Sequence, residues 1–199
     1  MATTRFNSQI VPKDATAQYG YLYFSFPSDL AVEATGATST GTAMEVIGAV
    51  GITPELRNAT LPGIVFNTTA TQSVYTKSML VPNDLDSSQT VYVAPVYSSG
   101  VAAASTTATS ICTVLMNSWT SNELITSVTS AFLVTATAFT ISPTTTADHM
   151  QIGTNAALSA SPNPGEIMAL KILMDSEHTT EAISPMLHGV KFTYFRRFV

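Results

Sequence analysis

An all-β fold, built as an antiparallel sandwich or barrel, is what this sequence predicts, and three observations carry the prediction. Ser and Thr make up roughly a quarter of the 199 residues. Thr, branched at Cβ, packs well on a pleated sheet, and Ser favours turns and strand ends. Short runs rich in aromatic and β-branched residues recur at short intervals with turn chemistry between them. The closing segment alternates apolar and polar side chains with period two, as a half-buried strand requires.

Taken in order, residues 1–18 hold scattered apolar side chains (Phe6, Ile10, Val11) without a clear period, and Pro12 limits helix, so they predict an extended N-terminal arm. Tyr19 to Phe26 is dense in aromatics and closed by Pro27, which predicts the first strand. That run holds more large side chains than one buried face accommodates. Either both faces are covered within the fold, or the surplus aromatics are left for a subunit contact.

Leu30 to Gly63 is small-residue and Thr-rich at first, then apolar from Met44 to Ile52, and is read as strands and loops. Beyond Pro62, strands are predicted over residues 63–66, 73–81, 90–97 and 109–119, with Pro82-Asn83-Asp84 and Ser98-Ser99-Gly100 as turns. Further strands follow at 131–141, 150–158, 166–174 and 187–198. Residues 166–174 are apolar on both faces, which predicts a central strand. In the last strand Val190, Phe192 and Tyr194 share one face, with Lys191 and Thr193 on the other.

Composition narrows the function classes. Only 11% of residues are charged, against about 25% in an ordinary soluble domain, so the surface is hydroxylated rather than ionic. Eight Lys plus Arg in a chain of formal charge −5 provide no basic face for a row of phosphates, so nucleic acid is not an expected partner. No apolar run approaches the ~20 residues that cross a bilayer, and the N-terminus lacks the pattern of an export signal, so neither membrane nor export is expected. The single Cys112 lies in the apolar run Ile111-Cys112-Thr113-Val114-Leu115, which predicts a buried, inert thiol.

Signals for chemistry are sparse. Asp175-Ser176-Glu177-His178-Thr179-Thr180-Glu181 offers one imidazole and three carboxylates to a cation, but no second His or spacing motif supports a site, and a solvated loop is the favoured reading. Asp84 and Asp86 are explained by turn chemistry, with side chains bonding their own backbone. The three histidines, His149, His178 and His188, would need a Ser and a carboxylate nearby to form a hydrolytic triad, and no Gly-x-Ser-x-Gly elbow occurs. Asn58-Ala59-Thr60 and Asn67-Thr68-Thr69 match glycosylation sequons, incidental without export. Trp119, beside Thr120-Ser121-Asn122, reads as a core residue, with sugar stacking as the alternative. No catalytic residue, cofactor or metal is therefore assigned.

Three segments carry a resemblance. Leu80-Val81-Pro82-Asn83-Asp84-Leu85-Asp86 runs through Ser87 to Gln89 into the alternating Thr90-Val91-Tyr92-Val93. Asn163-Pro164-Gly165-Glu166 enters the apolar run Ile167 to Met174 and ends at Asp175. Leu187-His188-Gly189-Val190-Lys191-Phe192-Thr193-Tyr194 has a Leu-x-Gly-Val-x-apolar-x-Tyr form. In this order they resemble the jelly-roll structural proteins of tailed bacteriophages, which include capsid cement (decoration) proteins and tail components. The loop 176–186 and the ending Arg196-Arg197-Phe198-Val199 depart from that pattern.

The resemblance implies an antiparallel β-sandwich of jelly-roll type over residues 19–199 behind the arm. It also implies a non-enzymatic virion protein, a homotrimer on the capsid surface that contacts the major capsid protein and stabilises the head. Within the arm, Arg5, Phe6 and Ile10 are the expected capsid contacts. Two rival expectations are a tail-fibre or adhesin domain that grips a host-surface glycan through exposed aromatics, and a small-molecule hydrolase on the same scaffold.

Overall fold

The computed structural model describes residues 18–26, 30–33, 44–45, 52–57, 61–66, 72–99, 110–120, 134–135, 138–141, 149–175 and 185–197. Among them are fifteen strands and no α-helix: β1 (Tyr19–Ser25), β2 (Leu30–Glu33), β3 (Met44–Glu45), β4 (Ile52–Arg57), β5 (Leu61–Phe66), β6 (Gln72–Thr76), β7 (Met79–Leu80), β8 (Tyr92–Ser99), β9 (Ser110–Trp119), β10 (Val134–Thr135), β11 (Phe139–Ile141), β12 (Met150–Ile152), β13 (Ala156–Ala157), β14 (Ile167–Asp175) and β15 (Pro185–Phe195). Every pairing is antiparallel.

Several short strands are pieces of one longer strand. β6 and β7 both lie along β14, interrupted at Lys77-Ser78. The Thr76 hydroxyl closes that break, its Oγ1 accepting the Leu170 N–H at 2.9 Å. β10 and β11 both lie along β9, and β12 and β13 along β8. With the pieces joined, one sheet reads β1, β15, β8, β12/β13, and the other reads β6/β7, β14, β9, β10/β11. Eight strands in that order, with the chain crossing between the sheets at every step except β9 to β10/β11, form a jelly roll. The hairpin β4–β5 adds to the first sheet beside the start of β15, and β2–β3 extends the second sheet beyond β6. The fold is an antiparallel β-sandwich.

Core composition follows strand parity. From the second sheet Met168, Leu170, Ile172 and Met174 on β14 meet Cys112, Val114 and Met116 on β9. From the first sheet Val190, Phe192 and Tyr194 on β15 line up with Val93 and Tyr97 on β8 and Phe24 on β1. All belong to one buried cluster. Removing such a side chain costs about 3–5 kcal/mol when it is as large as Phe192. β14 lies between β9 and β6/β7, which is the central position its two-sided apolarity predicts.

The three segments quoted above for their order meet at one end of the sandwich. Gly165, at φ +79°, turns the chain so that its N–H reaches the Val81 carbonyl at 3.1 Å, while the Val81 N–H reaches the Glu166 carbonyl at 2.8 Å. The Asp86 N–H donates to the Phe195 carbonyl at 2.9 Å and the Arg197 N–H to the Asp84 carbonyl at 2.6 Å. The turn after β7 is thus held by both closing strands.

Candidate functional site

β15 carries the most chemistry, because a bulge changes its register. Leu187 pairs with Tyr97 and Gly189 with Val96, which leaves His188 as the extra residue. A bulge of this kind re-aims one side chain. The His188 ring is buried, with Nε2 2.8 Å from Ser98 Oγ and Nδ1 2.8 Å from the Pro62 carbonyl. A carbonyl can only accept, so Nδ1 carries the proton, and the Ser98 hydroxyl donates to Nε2. This is the Ser–His pair for which the sequence has no local signal, since the two residues are 90 positions apart.

The pair has the distance of a nucleophile and its base, but Ser98 is 1% exposed and the ring's other partner is a backbone carbonyl. Its chemical consequence is a satisfied pair of buried polar groups that ties β8, β15 and the start of β5 together. His149 lies at the surface ahead of β12, and His178 falls outside the described residues. So do Arg5, Phe6, Ile10 and the arm they belong to, residues 176–181, and both sequons.

The two aspartates of the turn are engaged. Asp84 pairs with Arg196 at 3.3 Å and accepts a hydrogen bond from the Tyr194 hydroxyl at 3.2 Å. Asp86 accepts from the Ser88 N–H and hydroxyl at 3.0 and 2.6 Å, which hold its carboxyl below the usual range. The self-bonded turn reading fits Asp86, whereas Asp84 reaches across to the last strand. Glu166 is desolvated, which alone would raise its pKa, yet hydrogen bonds from Ser118 and from the Asn163 side chain and N–H win and hold it low. Among the described residues no three His, Cys, Asp or Glu side chains gather as a metal site. Cys112 is buried in the core, and desolvation pushes its thiol up to about 12.

What the described surface offers is apolar and aromatic. On the face of the first sheet opposite the core, β1 presents Tyr21 and Tyr23, 52% and 51% exposed, while Leu22 and Phe24 turn inward. Of the two readings of that run, surplus aromatics at the surface is the one found. Tyr23 lies down across β15. Its hydroxyl donates to the His188 carbonyl at 3.2 Å, and its ring passes over Gly189, where a Cβ would sit 2.7 Å from the phenol. Only glycine leaves room for that approach. Partial burial raises the Tyr23 pKa, so the phenol keeps its proton.

Beside it, Lys191 Nζ stands 4.4 Å from the Tyr21 ring centroid. Thr193, across from Tyr21, has a buried hydroxyl without a hydrogen-bond partner. Met150 and Ile152 on the edge strand β12 are exposed on the same face.

The second sheet's outer face carries a row across three strands. Leu80 (68% exposed) pairs with Ile167, which pairs with Trp119. Trp119 is half-buried on this outer face and outside the core cluster, a departure from the core position expected of it. Its parity explains the departure: Cys112, Val114 and Met116 point inward, so residue 119 points out.

No family model matches the chain, and no curated protein does. Among solved structures, one match is titled "Structure of CsCBM6-3 from Clostridium stercorarium in complex with cellobiose". It is 12% identical at TM-score 0.35, covering 84% of this chain and 92% of that one.

Proposed function

We propose that this chain is a non-enzymatic structural protein of a tailed-phage particle, a capsid cement protein that associates as a trimer on the head. The observation that carries the reading is the apolar outer face of the second sheet, where Leu80, Ile111 and Ile167 are exposed. In a chain with only 11% charged residues, such faces favour contact with other protein copies. The order of the three segments in the sequence supports the phage assignment. Their convergence on one end of the sandwich gives each a structural reason to be retained.

Three-fold association suits a shell. It matches local three-fold positions, and three modest footprints acting together slow dissociation far beyond one. The segment before β1, with Arg5, Phe6 and Ile10, adds contact area to the neighbouring major capsid protein. Ser98 and His188 have no place in turnover in this reading, because their role is to hold the bulge.

The test uses heads purified without this protein. The full chain is expected to co-sediment with them, and a chain lacking residues 1–16 is expected to remain folded and stay in the supernatant. Normal co-sedimentation of the shortened chain would remove the arm from the proposal. Absence of the full chain from both heads and intact particles would remove the proposal itself.

A further inference from the structure

We infer that Tyr23, Tyr21 and Lys191 form a binding platform for an acidic saccharide, a pyranoside whose C–H face stacks on Tyr23 and whose carboxylate meets the Lys191 ammonium. The inference goes beyond the particle role and does not depend on it.

The argument begins with the pose of Tyr23. A flexible exposed tyrosine loses entropy when a ligand orders it, whereas the phenol end of this ring already rests over Gly189 and is pinned through its hydroxyl to the His188 carbonyl. The His188 carbonyl is itself fixed by accepting the Phe26 N–H at 2.9 Å. The result is a preorganised aromatic face that remains half exposed. An exposed aromatic face of that size fits a ligand with a flat apolar face and polar edges, and a pyranose ring presents axial C–H groups on one face and hydroxyls at its rim.

The sign of the ligand's charge comes from Lys191. It is the cross-strand partner of Tyr23, and its ammonium rests against the Tyr21 ring, which holds it at the surface beside the platform. Its described neighbours on the outer face are Tyr21 and Tyr23 on β1, Gly189 and Thr193 on β15 and Ala94 on β8. None is a carboxylate. A cation set among aromatic and apolar groups without a compensating acid is complementary to an incoming anion. Tyr21 is the positioning residue for the ammonium, and Tyr23 and Lys191 are the contacts.

The experiment is a titration of the full chain with oligogalacturonate, and in parallel with a neutral malto-oligosaccharide of equal length. It is followed by saturation-transfer NMR and by the shifts of the tyrosine ring signals. The expected result is saturable binding of the acidic oligomer, weakened by salt, with the neutral one at least tenfold weaker. Tyr23→Ala and Lys191→Gln are each expected to lower affinity about tenfold. Ser87→Ala, in the exposed turn before β8, is expected to bind as the parent does. Tyr23→Phe retains the ring without the pin, so a folded variant that binds a few-fold more weakly supports the role of preorganisation. No saturation transfer to the acidic oligomer, equal binding of the neutral one, or full binding by Lys191→Gln would each overturn the inference.

Discussion

His188 and Lys191 stand three residues apart on β15, and the strand treats them in opposite ways. His188 is the bulge residue, sealed and bonded through both ring nitrogens to Ser98 and Pro62. Lys191 sits in regular register with the Tyr21 ring against its ammonium. The residue that reads as chemistry in a sequence is thus spent on architecture, and the one that reads as an ordinary strand lysine faces the solvent beside two half-exposed tyrosines. Access, rather than residue type, separates them.

If that division is real, changes on the sealed side should cost stability and changes on the open side should not. Phe192→Ala, next to Lys191 but facing the core, is expected to lose about 3–5 kcal/mol in urea unfolding. Lys191→Ala should stay within about 0.5 kcal/mol of the parent. Equal losses at the two positions would mean that the outer face is as tightly packed as the core.

His188→Ala is expected to cost about 2–4 kcal/mol, because it leaves the buried Ser98 hydroxyl without its partner and empties the bulge. A smaller loss than Lys191→Ala would break the comparison. Thr193→Val runs the other way. It removes a buried hydroxyl that has no partner, so a gain of up to about 1 kcal/mol in the urea midpoint is expected.

The smallest effect concerns acid. Glu166 is held below its ordinary value of 4.5 in the folded chain, so its contribution is present above that value and is lost as pH falls through the lower, folded one. Glu166→Gln is therefore expected to flatten the acid limb of the stability curve below about pH 4.5 while leaving its slope at neutral pH unchanged. An identical acid limb in both proteins would mean that the Asn163 and Ser118 bonds do not favour the carboxylate.

Much of the architecture was legible because period two survives wherever one face is wet. Val190-Lys191-Phe192-Thr193-Tyr194 and the two-sided run over 167–174 predict both their strands and the side each presents. Interrupted strands were harder. The sequence reads 73–81 and 150–158 as single strands, and nothing local marks where Lys77-Ser78 and the coil at 153–155 split each into two pieces along one partner strand.

The site was less legible than the fold. The Tyr19-to-Phe26 run signals a surplus of aromatics, but nothing local tells which ring rests on β15. That depends on Gly189, 166 residues after Tyr23, and on a one-residue bulge. Nor does the sequence bring Ser98 to His188, because Ser98-Ser99-Gly100 reads as a turn while Ser98 and Ser99 belong to β8. Trp119 was misread for want of parity: a lone Trp defaults to the core unless its strand neighbours are placed first.

The central claim is that this chain acts by presenting the apolar outer face of its second sheet to other copies, and the mass of the intact protein in solution tests it most directly. Sedimentation equilibrium at micromolar concentration is expected to give three times the 21.0 kDa of one chain. A single species at the mass of one chain across the whole concentration range would contradict the account.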